Sequence, residues 1–324
     1  MNPAPVPQHS HFARGYTIAL ISAAILSTTA IFIRYLTGNY QIPPLVLAVW
    51  RDALVAFTLG PVLWLCRPDI LRSGRGNLLY LTGYGLVLAL FNALWTISVA
   101  FNGAAVATVL VYASAAFTAL LEWWFLREKV NWVKLITIGV CFTGCILVSG
   151  AWSRADWRMN WVGIVSGVFS GLGYAIYSLM GRSASKRGLN PWTTLFYTFS
   201  LATVFLLLPN LLPGRLIPGA ANSPADLFWL KDAWKGWAIL FILAAGPTVL
   251  GFGLYNVALC CLPASVANLI ATTEPAFTAG IAYLFLGERF SRIQIFGSLM
   301  ILSGVVFLKV YEARSSGHFY ITDR

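Results

Sequence analysis

The sequence predicts an all-α integral membrane protein of ten transmembrane helices, arranged as two inverted five-helix repeats. Composition, the length of the apolar runs and an internal repeat carry that prediction. Of 324 residues, 58% are hydrophobic and 10% charged, whereas a soluble domain carries about a quarter charged residues. The apolar residues gather in runs of roughly 20, the length that crosses about 30 Å of hydrocarbon at helical rise. The expected spans are 15–36, 45–66, 78–100, 104–126, 132–150, 161–181, 191–212, 236–260, 264–286 and 293–311. None alternates apolar with polar residues, so barrel strands are excluded.

The net charge of +11 could point to nucleic acid, but its placement argues otherwise. Assigning the loops alternately to two sides puts Arg14, Arg67, Arg72, Arg75, Arg127, Lys129, Arg182, Lys186, Arg187, Lys309, Arg314 and Arg324 on the side of the termini. The other side holds only Arg154, Arg158, Arg215, Lys231, Lys235, Arg289 and Arg292, three of them in one long loop. The positive-inside rule then makes both termini cytoplasmic and the basic excess a topology signal. Residues 1–14, with three prolines, and 312–324 read as cytoplasmic tails, the first disordered. No small-residue cleavage site precedes a mature start, so span one is expected to stay in the protein. The five cysteines lie in or at the ends of apolar spans and read as packing residues.

The repeat emerges when a shift of 160 lays Ala104–Val148 over Ala264–Leu308 without a gap. Ala116-Phe117-Thr118-Ala119 then matches Ala276-Phe277-Thr278-Ala279, Glu128 matches Glu288 and Gly144 matches Gly304. At a shift of 148, Gly15 falls on Gly163, Arg34 on Arg182 and Pro43 on Pro191. The repeats are therefore expected at 15–150 and 161–311. Five spans per copy is an odd number, so the second copy enters the membrane from the opposite face. Such a pseudo-twofold pair can open to either side at similar energy, with a solute site near the midplane where the copies meet.

In the second repeat Glu274-Pro275-Ala276-Phe277, Leu286-Gly287-Glu288-Arg289-Phe290-Ser291, Gln294, Gly297 and Gly304-Val305, together with Arg51 in span two, form a recognisable set. It resembles the signature of the EamA-type carriers of the drug/metabolite transporter superfamily. That resemblance implies a solute carrier with a central cavity, akin to amino-acid and metabolite exporters, in a multi-pass plasma membrane setting such as a bacterial inner membrane. The chain departs from the pattern in span one, where Ser27-Thr28-Thr29 has no tryptophan, and in the first repeat, where Ser114-Ala115 replaces Glu-Pro.

Glu274 is expected about 15 Å deep in span nine, where a charged acid costs about 2.5 kcal/mol or more and a functional role is the default. It could hold a substrate ammonium or carry a coupled proton; alternatively it fixes the helix break at Pro275, whose ring removes the donor to the Ala271 carbonyl. Arg51 either snorkels or braces a neighbouring helix, or meets an anionic substrate group. Asn92, Trp95, Tyr112, Ser114, Tyr174, Tyr177, Tyr255, Asn256 and Thr273 complete a candidate cavity lining, with Ser27, Thr28, Asn268 and Thr272 beside them. Each could equally serve helix packing. Trp95 and Tyr255 occupy equivalent repeat positions, as two aromatic walls would. With few fixed charges the site suits zwitterionic or amphipathic small molecules rather than nucleotides. Gly246-Pro247 is the leading hinge, and Ser223-Pro224-Ala225-Asp226 reads as the start of a short helix, interfacial or lid-like.

The rival readings are a membrane enzyme or a channel. His9, His11 and His318 all fall in the tails, and the sequence has no carboxylate cluster, metal-ligand spacing or phosphate loop, so no cofactor is expected. A channel lacks a reason for inverted duplication. Nothing in the sequence sets an oligomeric state.

Overall fold

A computed structural model describes residues 8–71, 75–114, 117–118, 121, 132–149, 154–212, 217–262, 264–271, 273–287, 289 and 291–319, and these hold helices and turns without a strand. The first half contains α1 (Gln8–Asn39), α2 (Pro44–Cys66), α3 (Arg75–Asn102), α4 (Ala104–Val111) and α5 (Trp132–Ser149). The second contains α6 (Arg154–Lys186), α7 (Pro191–Leu211), α8 (Trp234–Leu243), α9 (Val249–Cys261), α10 (Ala264–Ala271), α11 (Glu274–Leu286) and α12 (Arg292–Phe319). Among the described residues six stretches are long and apolar enough to cross a membrane: 14–39, 44–66, 76–102, 161–186, 191–211 and 234–261. They fall on expected spans one, two, three, six, seven and eight. Expected spans four and nine are not continuous helices, for reasons given below, and five and ten fall on α5 and α12.

Helix ends follow local chemistry. α2 and α7 both begin on a proline, whose missing N–H would be unsatisfied there in any case, and the Asn190 side chain accepts from Trp192 N–H at 2.9 Å to cap α7. α1 starts at Gln8, inside the segment expected to be a disordered tail. α11 stops at Gly287, whose φ of 69° is the left-handed conformation of a helix end.

The packing is nearly unchanged when the halves are exchanged. α3 lies on α6 as α9 lies on α1, and α4 packs on α6 as α11 does on α1, while α2 pairs with α7, α4 with α11 and α5 with α12. Two arginines share this relation. Arg34 Nη1 donates to the Ala100 carbonyl at 2.6 Å, and Arg182 Nη1 to the Leu259 carbonyl at 2.8 Å. Each meets carbonyls that a helix C-terminus leaves open.

Helices are interrupted at equivalent places. α4 ends in a turn at Tyr112 and Ala113, where Tyr112 N–H bonds back to Val109. α10 ends at Ala271 and the helix resumes at Glu274, with the Thr273 N–H and hydroxyl both donating to Ile270 at 3.1 and 2.8 Å. The first interruption fits against Gly171 of α6, where an added Cβ would stand 2.8 Å from the Val111 carbonyl oxygen. Between α8 and α9, residues Ala244–Thr248 form a π-helical turn around Pro247. Proline has no N–H for the Leu243 carbonyl four residues back; the π pattern turns the backbone to residues five apart instead, and the Thr248 hydroxyl adds a bond to Leu243 at 2.8 Å.

Residues 217–233 form a strap rather than a helix. Only Pro224–Phe228 coils, as a 3₁₀ turn capped by Ser223 and Asp226, and α8 begins separately at Trp234. The strap is stitched down: Leu45 N–H donates to the Gly219 carbonyl at 2.9 Å, Trp50 Nε1 to Leu227 at 2.6 Å and Trp229 Nε1 to Tyr40 at 3.0 Å. The helix expected to start at Ser223 is thus confined to the short 3₁₀ turn.

Thermal unfolding in detergent checks these assignments. Thr248→Val removes the hydroxyl bond to the Leu243 carbonyl and should lower stability by about 1 kcal/mol, seen as a fall in Tm. Gly171→Ala should lower Tm further, whereas Gly246→Ala, with no atom within 4 Å of its added Cβ, should leave Tm unchanged or slightly raised.

Candidate functional site

The interior holds a small cavity of ≈30 Å³ lined by Leu26 and Thr29 of α1, Phe91 and Trp95 of α3, Val111 and Tyr112 at the α4 break, Tyr174 of α6, Phe252 of α9 and Glu274 of α11. It has space for about one or two waters. Four of the residues expected from the sequence therefore meet on one wall system: Trp95, Tyr112, Tyr174 and Glu274.

Glu274 is 7% exposed and opens α11, where the helix dipole favours a negative charge. Its carboxylate accepts from the Tyr112 hydroxyl at 2.8 Å, so the two helix interruptions are tied across the cavity by one bond. Pro275 occupies the next position of α11 and is buried. Much of the remaining lining is aromatic: Phe91 stands 5.5 Å from Tyr174 and 6.4 Å from both Trp95 and Phe252 between ring centroids. One carboxylate among ring faces is chemistry that suits a cation with apolar surroundings.

Tyr255, Tyr177 and Asn256 stand behind that wall. The Tyr255 hydroxyl bonds to Asn268 and meets the Ser178 hydroxyl at 2.8 Å, while Tyr177 donates to Asn256 Oδ1 at 3.2 Å. Tyr255 packs 5.7 Å from Tyr174, so Trp95 and Tyr255 are not paired walls: only Trp95 faces the cavity. Asn92 turns away from it and donates to Asp52 Oδ2 at 2.8 Å. Ser114 is buried beside Gly171 without lining the space, and the hydroxyl of Thr273 is engaged in closing the α10 end. Ser27 and Thr28 donate to carbonyls of their own helix at 2.7 Å. Their neighbour Thr29 faces the cavity instead, one residue and about 100° further round the helix. Thr272 lies outside the described residues.

Arg51 does not reach the interface. It is fully buried with Asp52, bonded Nε to Oδ1 at 3.1 Å, and its guanidinium carbon lies 6.0 Å from the Trp95 ring centre. Sequence reasoning passed over Phe91, Phe252, Leu26, Val111 and Thr29. The first four are apolar and carry no signal separating a cavity wall from a packed core, while Thr29 shares the face of α1 with Leu26.

Comparison with known proteins agrees with this architecture. The model of the EamA-like transporter family matches twice, over residues 13–150 and 161–310. An uncharacterized transporter of Archaeoglobus fulgidus is 27% identical over 296 residues, 90% of this chain and 95% of that one. A protein of Salmonella typhimurium named "Probable amino-acid metabolite efflux pump" is 23% identical, covering 92% and 95% of the two chains. The threonine/homoserine exporter RhtA of the same species is 26% identical, covering 83% and 81%. A solved crystal structure shares the fold with a TM-score of 0.62 at 13% identity, covering 93% of this chain and 98% of that one. With both halves matched in tandem and six stretches long enough to cross a bilayer, the chain is a multi-pass membrane protein that belongs to the EamA-like transporter family.

Proposed function

We propose that this protein is a secondary transporter that exports amino acids or similar small amphipathic metabolites across a plasma membrane by alternating access. The observation that carries the proposal is the Glu274–Tyr112 bond, which joins the interruptions of two helices at the wall of an aromatic cavity. Discontinuous helices around a midplane site are a recurring device of carriers built from inverted repeats. The exchange-symmetric packing supports two equivalent halves; ten spans would put them in inverted orientation, and the loop charges favour both termini in the cytoplasm. The present cavity is too small for an amino acid, so this conformation corresponds to a closed state. The halves would rock about Glu274, flexing at residues 112–113, at Thr273 and at the π turn of Gly246 and Pro247. Glu274 would hold the solute's ammonium group, with Tyr112 as its partner when the site is empty. The aromatic walls would take the solute's apolar part. Relatives named as exporters of amino acids and metabolites favour this solute class and a transporter over an enzyme.

Counterflow of radiolabelled amino acids in proteoliposomes tests the reading. Glu274→Gln should abolish saturable exchange while leaving Tm equal to or above that of the native protein, since a buried carboxylate is itself costly. Tyr112→Phe keeps the ring and removes the donor, and should weaken transport by about tenfold. Full exchange by Glu274→Gln would reduce Glu274 to a helix-break residue. Topology has its own check: an impermeant thiol reagent should label Glu128→Cys from the cytoplasm and Glu288→Cys from outside, and labelling of both from one side would overturn the inverted arrangement.

A further inference from the structure

We infer that Arg51 is a carboxylate-binding residue held under the Trp95 ring, and that it takes the acid group of the transported solute when that ring moves. The inference rests on the transport reading above and specifies the chemistry of its ligand. A guanidinium offers donors along a planar fork. In Arg51 the Nε edge is engaged by Asp52 Oδ1 at 3.1 Å, and the second Asp52 oxygen is engaged by Asn92. Nη1 and Nη2 are buried and meet no acceptor among the described residues, and neither does Asn92 Oδ1 meet a donor. The outer pair of the fork is therefore formed, desolvated and open.

A brace would look different, and this protein contains two for comparison. Arg34 and Arg182 each place an Nη on a helix-end carbonyl. Arg51 makes no such bond; Trp95 stands near its guanidinium, with the ring centre 6.0 Å from the guanidinium carbon. Trp95 also lines the cavity that contains Glu274. Trp95 is thus common to both: it neighbours the guanidinium and lines the cavity that holds Glu274. The fork matches a planar two-oxygen acceptor, and with Asp52 already offsetting the arginine's charge the arrangement suits a single carboxylate rather than a dianionic phosphate.

The test uses the full-length protein in liposomes and in detergent. L-Threonine, L-leucine and L-phenylalanine are compared with their carboxamides for thermal stabilisation and for competition in counterflow. The acids should outcompete the amides by about tenfold or more, the scale of a hydrogen bond to a charged group. Arg51→Gln should bring that ratio to about one by weakening the acids alone, and Arg51→Lys, which keeps charge without the fork, should fall between. Should Arg51→Gln fail to fold, Arg51→Gln combined with Asp52→Asn removes the stranded charge, and the native protein's acid-to-amide ratio decides the matter independently. Amides equal to acids on the native protein would overturn the inference and leave the transport reading intact. A ratio that survives Arg51→Gln would show the carboxylate is read elsewhere. Failure of all six compounds to stabilise the protein or compete would defeat the amino-acid reading, and this inference with it.

Discussion

A backbone inside hydrocarbon has no water to complete its hydrogen bonds, so a helix can be interrupted there only where the protein supplies the missing partners. Every functional feature of this chain depends on how that requirement is met. At the α10 end, Thr273 turns both its N–H and its hydroxyl onto Ile270. At Pro247 the π turn shifts the backbone pairing and the Thr248 hydroxyl adds a bond to the Leu243 carbonyl. At Tyr112 the freed segment fits against a helix backbone bare enough, at Gly171, to approach it. The interruptions exist because local polar chemistry satisfies them, and the bond between Tyr112 and Glu274 then joins two of them into one unit.

That junction connects stability to mechanism. Glu274 is unfavourable as a buried charge yet well placed at a helix N-terminus with one phenol donor. Under the transport reading proposed above, a group held by this one neutral partner would exchange it for a cation. The aromatic lining around it keeps the surroundings apolar without filling them with rigid polar contacts, which suits a site that must release what it binds.

Hydropathy was sufficient to read the six long spans, because a bilayer imposes a length and a composition that a linear sequence displays. The repeat was legible for a similar reason: identical residues at one shift need no geometry. Pro275 announced one interruption, but its counterpart at Tyr112 and Ala113 has no proline and is visible only as a turn in the folded chain. Polar residues at middle depth were a fair guide to the neighbourhood and a poor one to the wall. Asn92 faces Asp52, and Ser27 and Thr28 bond within their own helix, whereas Phe91 and Phe252 do line the space. Side-chain direction depends on helix rotation, and rotation is set by partners far away in sequence.

The stitched strap introduces an inequality into an otherwise balanced pair of halves. It carries residues of the second half onto Tyr40, Leu45 and Trp50 of the first, whereas the corresponding connection between α2 and α3 spans only residues 67–74. Halves related by a pseudo-twofold axis would be fastened equally at both ends; with a seam at one connection, they are not. Those two indole bonds and one amide bond thus bias the fold itself: one end of the molecule is tied across its halves by bonds that lie outside the cavity, and the other connection is shorter by more than half.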